Sequence, residues 1–228
     1  EKKQEEQAPT DTMNIQLIVF DFDGTLADTR ATIIQTMQAM MKQLHLDVKN
    51  ESDCAATIGL PLRTAFEKLY PALSAEALGQ CVESYRKIFN QTKKALSPQP
   101  FPRVIETLDL LHRQDIALSI ASSRSNASLQ DFVDQLNLSK YISFVLGADD
   151  VLHAKPDPEP VLKTLEHMSI TAEHTLVVGD MPVDILMGAG AGARTCAVTY
   201  GNATRAQLRE AHPDFIIDDL SELLQIIR

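Results

Sequence analysis

The chain has 228 residues, 44% of them hydrophobic, so it is long and apolar enough to build a substantial core. Its formal net charge of -10 argues against a general nucleic-acid binder or a protein that docks on anionic membranes, because neither polyanion is attracted to such a surface. No apolar run approaches the roughly 20 residues that cross a bilayer, and three widely spaced cysteines without a CxxC pair indicate reduced thiols in the cytoplasm.

The first predicted strand ends at a pair of acids. Residues 1–12 are polar and charged without the apolar segment of a secretory signal, so the sequence predicts a disordered leader there. The apolar run over residues 15–20 predicts a buried strand that ends at Asp21 and Asp23. Two carboxylates this close repel each other, so they persist most easily around a cation or a shared proton. Gly24 lets the chain turn tightly beside a bound group, although these residue types also suit an ordinary turn.

A helical insertion is predicted between the first strand and the second, because roughly 75 residues without a convincing strand exceed an ordinary crossover. Residues 29–44 have apolar side chains at helical spacing, and further helices are predicted to include residues 62–69 and 74–89. Three prolines within residues 98–102 end the insertion as a stiff link. Both connections would then act as hinges that let the insertion close over the sheet edge.

The second half of the chain alternates short apolar runs with amphipathic helical segments, which predicts a parallel sheet with helices on both faces. The runs predicted as strands are residues 116–121, 142–146, 175–178, 195–198 and 215–217. The predicted fold is therefore α/β with an inserted α-helical cap. Its predicted parts are a leader (1–12), a core (13–28 and 99–228) and a cap (29–98).

Polar side chains follow further predicted strands. Ser122 and Ser123 open a helix in a turn whose hydroxyl and backbone N–H groups can hold an anion, although serine is equally a helix cap. Lys155 lies in a segment stiffened by prolines, which favours a fixed position for its ammonium group. Asp180 and Asp184 follow another buried strand and can share one face of the turn that enters the next helix.

The four carboxylates at the ends of these two strands form an oxygen-rich set that suits Mg²⁺, a hard ion that prefers carboxylates and water. Lys155 and Ser122 would face the same crevice, because ligands of open α/β sheets bind at the carboxyl ends of the strands. Acids for a divalent ion, a hydroxyl group and an ammonium group together describe a phosphate site.

Four short motifs occur in a fixed order along the chain. They are residues 21–26, Ser122, Lys155 with Pro156, and residues 179–180 with Asp184. With these motifs the chain resembles the haloacid dehalogenase superfamily of phosphohydrolases, from Leu17 to the C-terminus. The resemblance implies a Rossmann-like sheet and Mg²⁺-dependent phosphoryl transfer. Residues 58–63 and 198–201 look most like the phosphoglycolate phosphatase-like branch, which carries a helical cap between its first two motifs.

The resemblance also implies roles for the acids. Asp21 would be the nucleophile that attacks phosphorus and forms an aspartyl-phosphate. Asp23 would protonate the leaving oxygen and then take a proton from the hydrolytic water. Asp21, Asp23 and Asp180 would hold Mg²⁺, with Asp23 expected to use its backbone carbonyl and to keep its carboxyl group for proton transfer.

Other residues are expected to support this site. Asp184 would act through water or by orienting Lys155. Ser122, Ser123 and Lys155 would hold the phosphoryl oxygens. The residues expected to support the first motif are Gly24 and Thr25. Arg63, near the Gly59 turn of the cap, is a candidate for a distal anionic group of the substrate, and it is equally explained as a solvated helix arginine.

Two positions depart from the family pattern. Met181 replaces the serine or threonine usual after Asp180, and Arg103 replaces a common glycine. Met181 contributes no expected ligand, so activity is still expected.

We therefore predict a Mg²⁺-dependent phosphatase that acts on a small phosphorylated metabolite. A sugar-phosphate mutase shares the aspartyl-phosphate step, but such relatives usually carry a cap histidine soon after the first motif, and residues 28–32 contain none. A non-catalytic sensor of a phosphometabolite normally loses a catalytic acid, whereas this chain keeps each one. The sequence predicts no nucleic-acid or membrane partner, and it leaves open whether the chain is a monomer or a homodimer.

Overall fold

The computed structural model describes residues 14–92 and 98–227, and the predicted leader at residues 1–12 lies outside this range. In chain order, the strands are β1 (Leu17–Phe20), β2 (Ala27–Asp28), β3 (Gln99–Pro100), β4 (Ala117–Ala121), β5 (Phe144–Leu146), β6 (Thr175–Gly179), β7 (Arg194–Val198) and β8 (Phe215–Ile217). The helices are α1 (Arg30–Gln43), α2 (Glu51–Ala55), α3 (Leu62–Leu69), α4 (Ala75–Thr92), α5 (Val104–His112), α6 (Asn126–Gln135), α7 (Glu159–Met168), α8 (Pro182–Gly190), α9 (Arg205–Glu210) and α10 (Leu223–Ile226). Among these residues, no helix is both long enough and apolar enough to cross a bilayer.

The main sheet places β1 between β4 and β6. Within the described residues this sheet has six strands in the order β5-β4-β1-β6-β7-β8, and all neighbouring strands are parallel. Successive side chains of β1 point to opposite faces. Ile18 joins the core that includes α5 and α6, whereas Val19 joins the core that includes α7 and α8. Helices therefore cover both faces, which confirms the predicted α/β fold.

Two of the predicted strands begin two residues too early. Ile15 and Ile142 were included because they are apolar, but β1 and β5 begin at Leu17 and Phe144. Both isoleucines pack on the hydrophobic core. The apolar pattern therefore marks their burial, whereas strand pairing starts later.

Helices α1–α4, which we call the cap helices, lie between β1 and β4 as predicted. The sequence predicts no strand in this stretch. The structure shows that the two connections to the core form a small antiparallel sheet of β2 and β3, with Ala27 opposite Pro100 and Asp28 opposite Gln99. Each strand has only two residues, too few to show an alternating pattern. The cap boundaries at residues 29 and 98 stay a prediction, and residues 93–97 lie outside the described range.

Aromatic side chains connect the cap helices to the core. Phe66 of α3 packs against Tyr85 of α4, and Tyr85 stacks on Phe89 with ring centroids 6.0 Å apart. Phe89 in turn meets Phe132 of α6 edge to face at 5.8 Å, and Phe132 stacks on Phe22, directly beside Asp21. Packing of α4 is thus continuous with the strand end that carries the first acids.

Candidate active site

Two neighbouring strands bring their terminal acids together. Asp21 directly follows β1, and Asp180 directly follows β6. The backbone N–H of Asp21 donates to the carbonyl oxygen of Val178 at 2.8 Å, so the parallel register continues to the end of the strands. Asp184 reaches the same edge from the first turn of α8, where its Oδ2 accepts a hydrogen bond from the Met181 N–H at 3.0 Å.

A buried lysine joins this acidic cluster. The Nζ of Lys155 donates to Asp21 Oδ1 at 2.6 Å and to Asp184 Oδ1 at 2.7 Å. All three side chains are at most 3% exposed. The structure therefore brings together the lysine and both acids that the sequence predicted, and it pairs Lys155 directly with Asp184.

Burial shapes the protonation of the cluster. Burial raises the pKa of Asp21 well above its ordinary value; the charge of Lys155 opposes this rise, and the charges of Asp184 and Asp180 add to it. Burial, followed by the charge of Asp184, raises the pKa of Asp180 to about 7. Burial acts to lower the pKa of Lys155, but Asp184 and Asp21 more than offset it, so its ammonium group stays charged. Three carboxyl groups thus share one ammonium group, so ionising all three would leave negative charge uncompensated.

The donor atoms of the cluster fit a hard divalent cation. Asp21, Asp180 and Asp184 each offer a carboxylate oxygen, and these oxygens lie within 4.8 Å of one another. Asp21 Oδ2 is buried and accepts no hydrogen bond from any described residue. An unpartnered buried carboxylate oxygen beside excess negative charge is the environment that a cation with oxygen ligands would relieve. The carboxylate of Asp23 lies outside this group.

The loop after β7 clamps Asp180 from the other side. The backbone N–H and the side-chain Nδ2 of Asn202 donate to Asp180 Oδ2 at 2.7 and 2.9 Å, and Thr25 Oγ1 donates to Oδ1 at 3.2 Å. Gly24 has φ +92°, and a Cβ there would lie 2.2 Å from Asp180 Oδ2. The first motif therefore supports Asp180 sterically through Gly24 and by hydrogen bonding through Thr25. The sequence analysis missed Asn202; the only signal was its place after Gly201, four residues beyond the predicted strand at 195–198.

Asp23 has a strong partner that the sequence reading also missed. Arg124 donates from Nε to Asp23 Oδ2 at 2.7 Å and to Oδ1 at 2.9 Å, and from Nη2 to Oδ1 at 2.6 Å. Thr29 Oγ1 donates to the same Oδ1 at 2.6 Å. Both side chains of the ion pair are 11% exposed. The available signal was a basic residue two positions after Ser122, in a turn already interpreted as an anion site.

The two serines of that turn have different surroundings. Ser122 is buried, and its Oγ accepts a hydrogen bond from the Arg124 N–H at 3.2 Å. Ser123 Oγ donates to the carbonyl oxygen of Gly59 at 2.7 Å. Ser122 therefore lies at the strand end where it was predicted, whereas Ser123 links the core to the loop before α3.

A cavity of about 650 Å³ opens between the cap helices and the core, with Asp21 and Asp23 among its lining residues. Its apolar lining comes mainly from α1, α3 and α4 and from the loop before α3. The apolar residues of this part of the lining include Ile33, Met37, Ile58, Leu60, Leu62, Ala65, Val82 and Phe89. Arg63 also lines this cavity and donates to the carbonyl oxygen of Ala75 at 3.2 Å. The cavity is the place where a substrate could reach the acids.

Comparison with known proteins shows that this chain is similar to hydrolases, among them relatives named as phosphatases. Residues 18–198 match a family model described as haloacid dehalogenase-like hydrolase. "Probable phosphatase IndB" of Dickeya dadantii is 35% identical over 210 residues, which cover 91% of this chain and 91% of the relative. "Pyrophosphatase PpaX" of Anoxybacillus flavithermus is 34% identical over 215 residues, which cover 94% of this chain and 98% of the relative.

The fold also matches solved structures. A crystal structure of "a predicted phosphoglycolate phosphatase" from Haemophilus somnus superposes with a TM-score of 0.87 and covers 94% of this chain and 99% of that chain. The two sequences are 22% identical, so this similarity shows the fold alone.

Proposed function

The chain belongs to the haloacid dehalogenase-like hydrolase family, and we propose that it is a Mg²⁺-dependent phosphatase that transfers the phosphoryl group of a small phosphate ester to Asp21 and then to water. The observation that carries this proposal is the buried group formed by Asp21, Asp180, Asp184 and Lys155. When all three acids are ionised, their excess negative charge and the unpartnered Oδ2 of Asp21 are costly without a bound cation.

The residues that would hold Mg²⁺ are Asp21, Asp180 and the backbone carbonyl of Asp23, with Asp184 supporting the site. Neutralising the phosphoryl charge, which would otherwise repel the Asp21 carboxylate, is the chemistry that a bound Mg²⁺ supplies. Lys155 contributes a fixed positive charge beside the nucleophile, because its ammonium group is already held by two carboxylates. The hydroxyl of Ser122 would donate to a phosphoryl oxygen at the next strand end.

The reaction then needs two displacements at phosphorus. In the first, a carboxylate oxygen of Asp21 bonds to phosphorus, the bond to the ester oxygen breaks, and Asp23 gives a proton to that leaving oxygen. In the second, water bonds to phosphorus and gives a proton back to Asp23 while the bond to Asp21 breaks. Both side chains are restored, and the products are an alcohol and inorganic phosphate.

The cavity supports an organic ester as the substrate. Its apolar walls would bury a hydrophobic leaving group, which favours binding in proportion to the apolar area removed from water. The cavity is also lined by Arg63, Tyr85 and Arg86, which could bind a polar or anionic substituent of the substrate. The relatives named as pyrophosphatases make pyrophosphate the second candidate, but a doubly anionic leaving group would be poorly solvated against these walls.

The cysteines support a cytoplasmic setting as part of this proposal. All three cysteines, Cys54, Cys81 and Cys196, are buried and unpaired. Free buried thiols are typical of proteins kept in a reducing compartment.

Phosphate release from phenyl phosphate, measured with excess Mg²⁺ and with EDTA, tests the proposed reaction. The wild type should release phosphate only with the cation, and Asp21→Asn should lose roughly 10³-fold or more in kcat while still unfolding cooperatively in a thermal melt. Asp109→Asn, a substitution of a half-buried carboxylate on α5 that pairs with Arg113 away from the site, is the matched control. Phosphate release by Asp21→Asn at a rate near that of the wild type would refute the nucleophile assignment.

A substrate comparison separates the two candidates. The proposal predicts that kcat/KM for phenyl phosphate exceeds that for pyrophosphate, and that Val82→Ser, a change in the apolar lining on α4, lowers only the value for the aryl ester. A higher kcat/KM for pyrophosphate, unaffected by Val82→Ser, would favour the second candidate.

A further inference from the structure

Hydrogen bonds to Asp23 distinguish its two carboxylate oxygens. Oδ1 accepts from Thr29 Oγ1, Arg124 Nη2 and Arg124 Nε at 2.6, 2.6 and 2.9 Å. Oδ2 accepts only the 2.7 Å bond from Arg124 Nε among the described residues. A carboxylate oxygen has two lone pairs. Oδ1 is therefore saturated, whereas Oδ2 keeps one lone pair that can carry a proton.

Three aromatic rings surround the guanidinium group of Arg124 and help to hold it in place. Its Cζ lies 4.7 Å from the ring centroid of Phe132, 5.1 Å from that of Phe89 and 5.9 Å from that of Phe22. A cation over aromatic faces is attracted to them, and a planar fork matches a carboxylate. Phe89 belongs to α4, so a cap helix contributes to the position of Arg124.

Arg124 therefore differs from the other cationic groups at the site. Lys155 is committed to Asp21 and Asp184, and Arg63 donates to a backbone carbonyl. Arg124 contacts the expected proton donor through two nitrogen atoms, Nη2 and an Nε–H that is shared between both carboxylate oxygens. Its side chain is only 11% exposed. A residue bound in this way can fix the orientation of Asp23.

We propose that Arg124 is a positioning residue that orients Asp23 so that Oδ2 transfers the proton in both displacements. This inference rests on the proposed phosphatase function. In the first displacement, Oδ2 loses its proton to the ester oxygen as the bond from that oxygen to phosphorus breaks. In the second, Oδ2 regains a proton from the attacking water as the bond between phosphorus and Asp21 breaks.

Two phosphate esters of similar shape separate this role from a merely structural one. The phenolate of para-nitrophenyl phosphate leaves readily without a proton, whereas the alkoxide of benzyl phosphate needs one. The ratio kcat/KM reports only the steps through release of the alcohol. Arg124→Met should lower kcat/KM for benzyl phosphate by about 10²-fold and that for para-nitrophenyl phosphate by less than about 5-fold. Arg124→Lys, which keeps one donor and the charge, should fall between the wild type and Arg124→Met.

The experiment needs a control variant, and it needs a second comparison in case Arg124→Met does not fold. Arg113→Met removes an exposed arginine paired with Asp109 and should leave both ratios unchanged. If Arg124→Met is unfolded in a thermal melt, Asp23→Asn and the Asp23→Asn/Arg124→Met double variant replace it, because neither leaves a buried carboxylate without its partner. In the Asp23→Asn background, the loss of Arg124 should change kcat/KM for para-nitrophenyl phosphate by less than about 2-fold, since no acid remains to be oriented.

Three outcomes would overturn the proposal. Equal losses for the two esters in Arg124→Met would assign Arg124 to binding or folding instead. A further loss of about 5-fold or more in kcat/KM for para-nitrophenyl phosphate, when Arg124→Met is added to Asp23→Asn, would show that Arg124 acts independently of Asp23. A wild type that cleaves neither ester would refute the phosphatase function itself, and the role of Arg124 with it.

Discussion

Replacing Asp180 by asparagine should stabilise the protein without Mg²⁺, and Mg²⁺ should narrow the difference between the variant and the wild type. Asp180 is fully buried, and burial together with the charge of Asp184 raises its pKa to about 7. A carboxyl group with a higher pKa in the folded protein binds more protons when folded than when unfolded. Stability therefore falls as the pH rises from the ordinary aspartate pKa towards 7. At pH 8 without metal, the ionised carboxylate costs stability that a neutral amide would not.

The expected effect is large enough to measure. A pKa raised from 3.8 to about 7 corresponds to a cost on the order of a few kcal/mol at pH 8. Asparagine can keep the local hydrogen bonds, because its oxygen can accept from Asn202 and its amide can donate to the hydroxyl of Thr25. In the wild type, Mg²⁺ at 100 times its Kd would add about 2.7 kcal/mol, or roughly 5–10 °C in unfolding temperature for a chain of this size.

Thermal unfolding followed by circular dichroism, with EDTA or Mg²⁺ at pH 8 and pH 5, provides the assay. In EDTA at pH 8, Asp180→Asn should unfold at a higher temperature than the wild type, and the difference should shrink at pH 5. Mg²⁺ should raise the unfolding temperature of the wild type and have little effect on the variant. A variant that is less stable than the wild type in EDTA at pH 8 would show that the ionised Asp180 carboxylate does not destabilise the metal-free protein. A variant that gains as much stability from Mg²⁺ as the wild type would show that Asp180 does not hold the ion.

Three further predictions follow, two about the surroundings of the site and one about Asp214, which contacts the beginning of β7. Gly24→Ala, at φ +92° and with a Cβ 2.2 Å from Asp180 Oδ2, should cost about 1–3 kcal/mol in urea unfolding and at least about 10-fold in phosphate release; wild-type values for both would contradict the packing argument. Lys155→Met should lower stability by roughly 3–5 kcal/mol in EDTA at pH 8, because it leaves two buried carboxylates unpaired, and a neutral effect in urea unfolding would contradict this. Burial alone would raise the pKa of Asp214, but hydrogen bonds from Thr195 and Arg194 lower it, so its contribution is present at neutral pH and lost as the pH falls below the ordinary aspartate value. The stability difference between the wild type and Asp214→Asn in urea unfolding should accordingly shrink below pH 4.

The positions of Asp21 and Asp180 at one edge of the sheet could be predicted from local hydrophobic patterns in the sequence. Asp21 and Asp180 each follow an apolar run that is long enough to predict a buried strand, and parallel strands end at the same sheet edge. Lys155 was predicted at this edge through its motif, and it contacts Asp21 there. Such predictions need only the strand ends and the direction of the strands.

The hydrogen-bond partners of Asp23 and Asp180 could not be predicted in the same way, because they are side chains that lie far away in the sequence and meet only in the folded chain. Arg124 and Asp23 are 101 positions apart, and Asn202 and Asp180 are 22 apart. Nothing in the local pattern distinguishes Arg124 from a solvated arginine at a helix start. The β2–β3 pair was missed for a different reason, since two-residue strands carry no periodic signal.

The proposed mechanism requires that the carboxylate of Asp21 accept the phosphoryl group when Mg²⁺ is present. Wild-type protein quenched in acid during turnover of para-nitrophenyl phosphate, reduced with borohydride and mapped by peptide mass spectrometry tests it directly, because reduction converts an aspartyl-phosphate to homoserine. The proposed mechanism predicts homoserine at position 21 with Mg²⁺ and unmodified aspartate with EDTA. Steady phosphate release without any modification of Asp21 would contradict it.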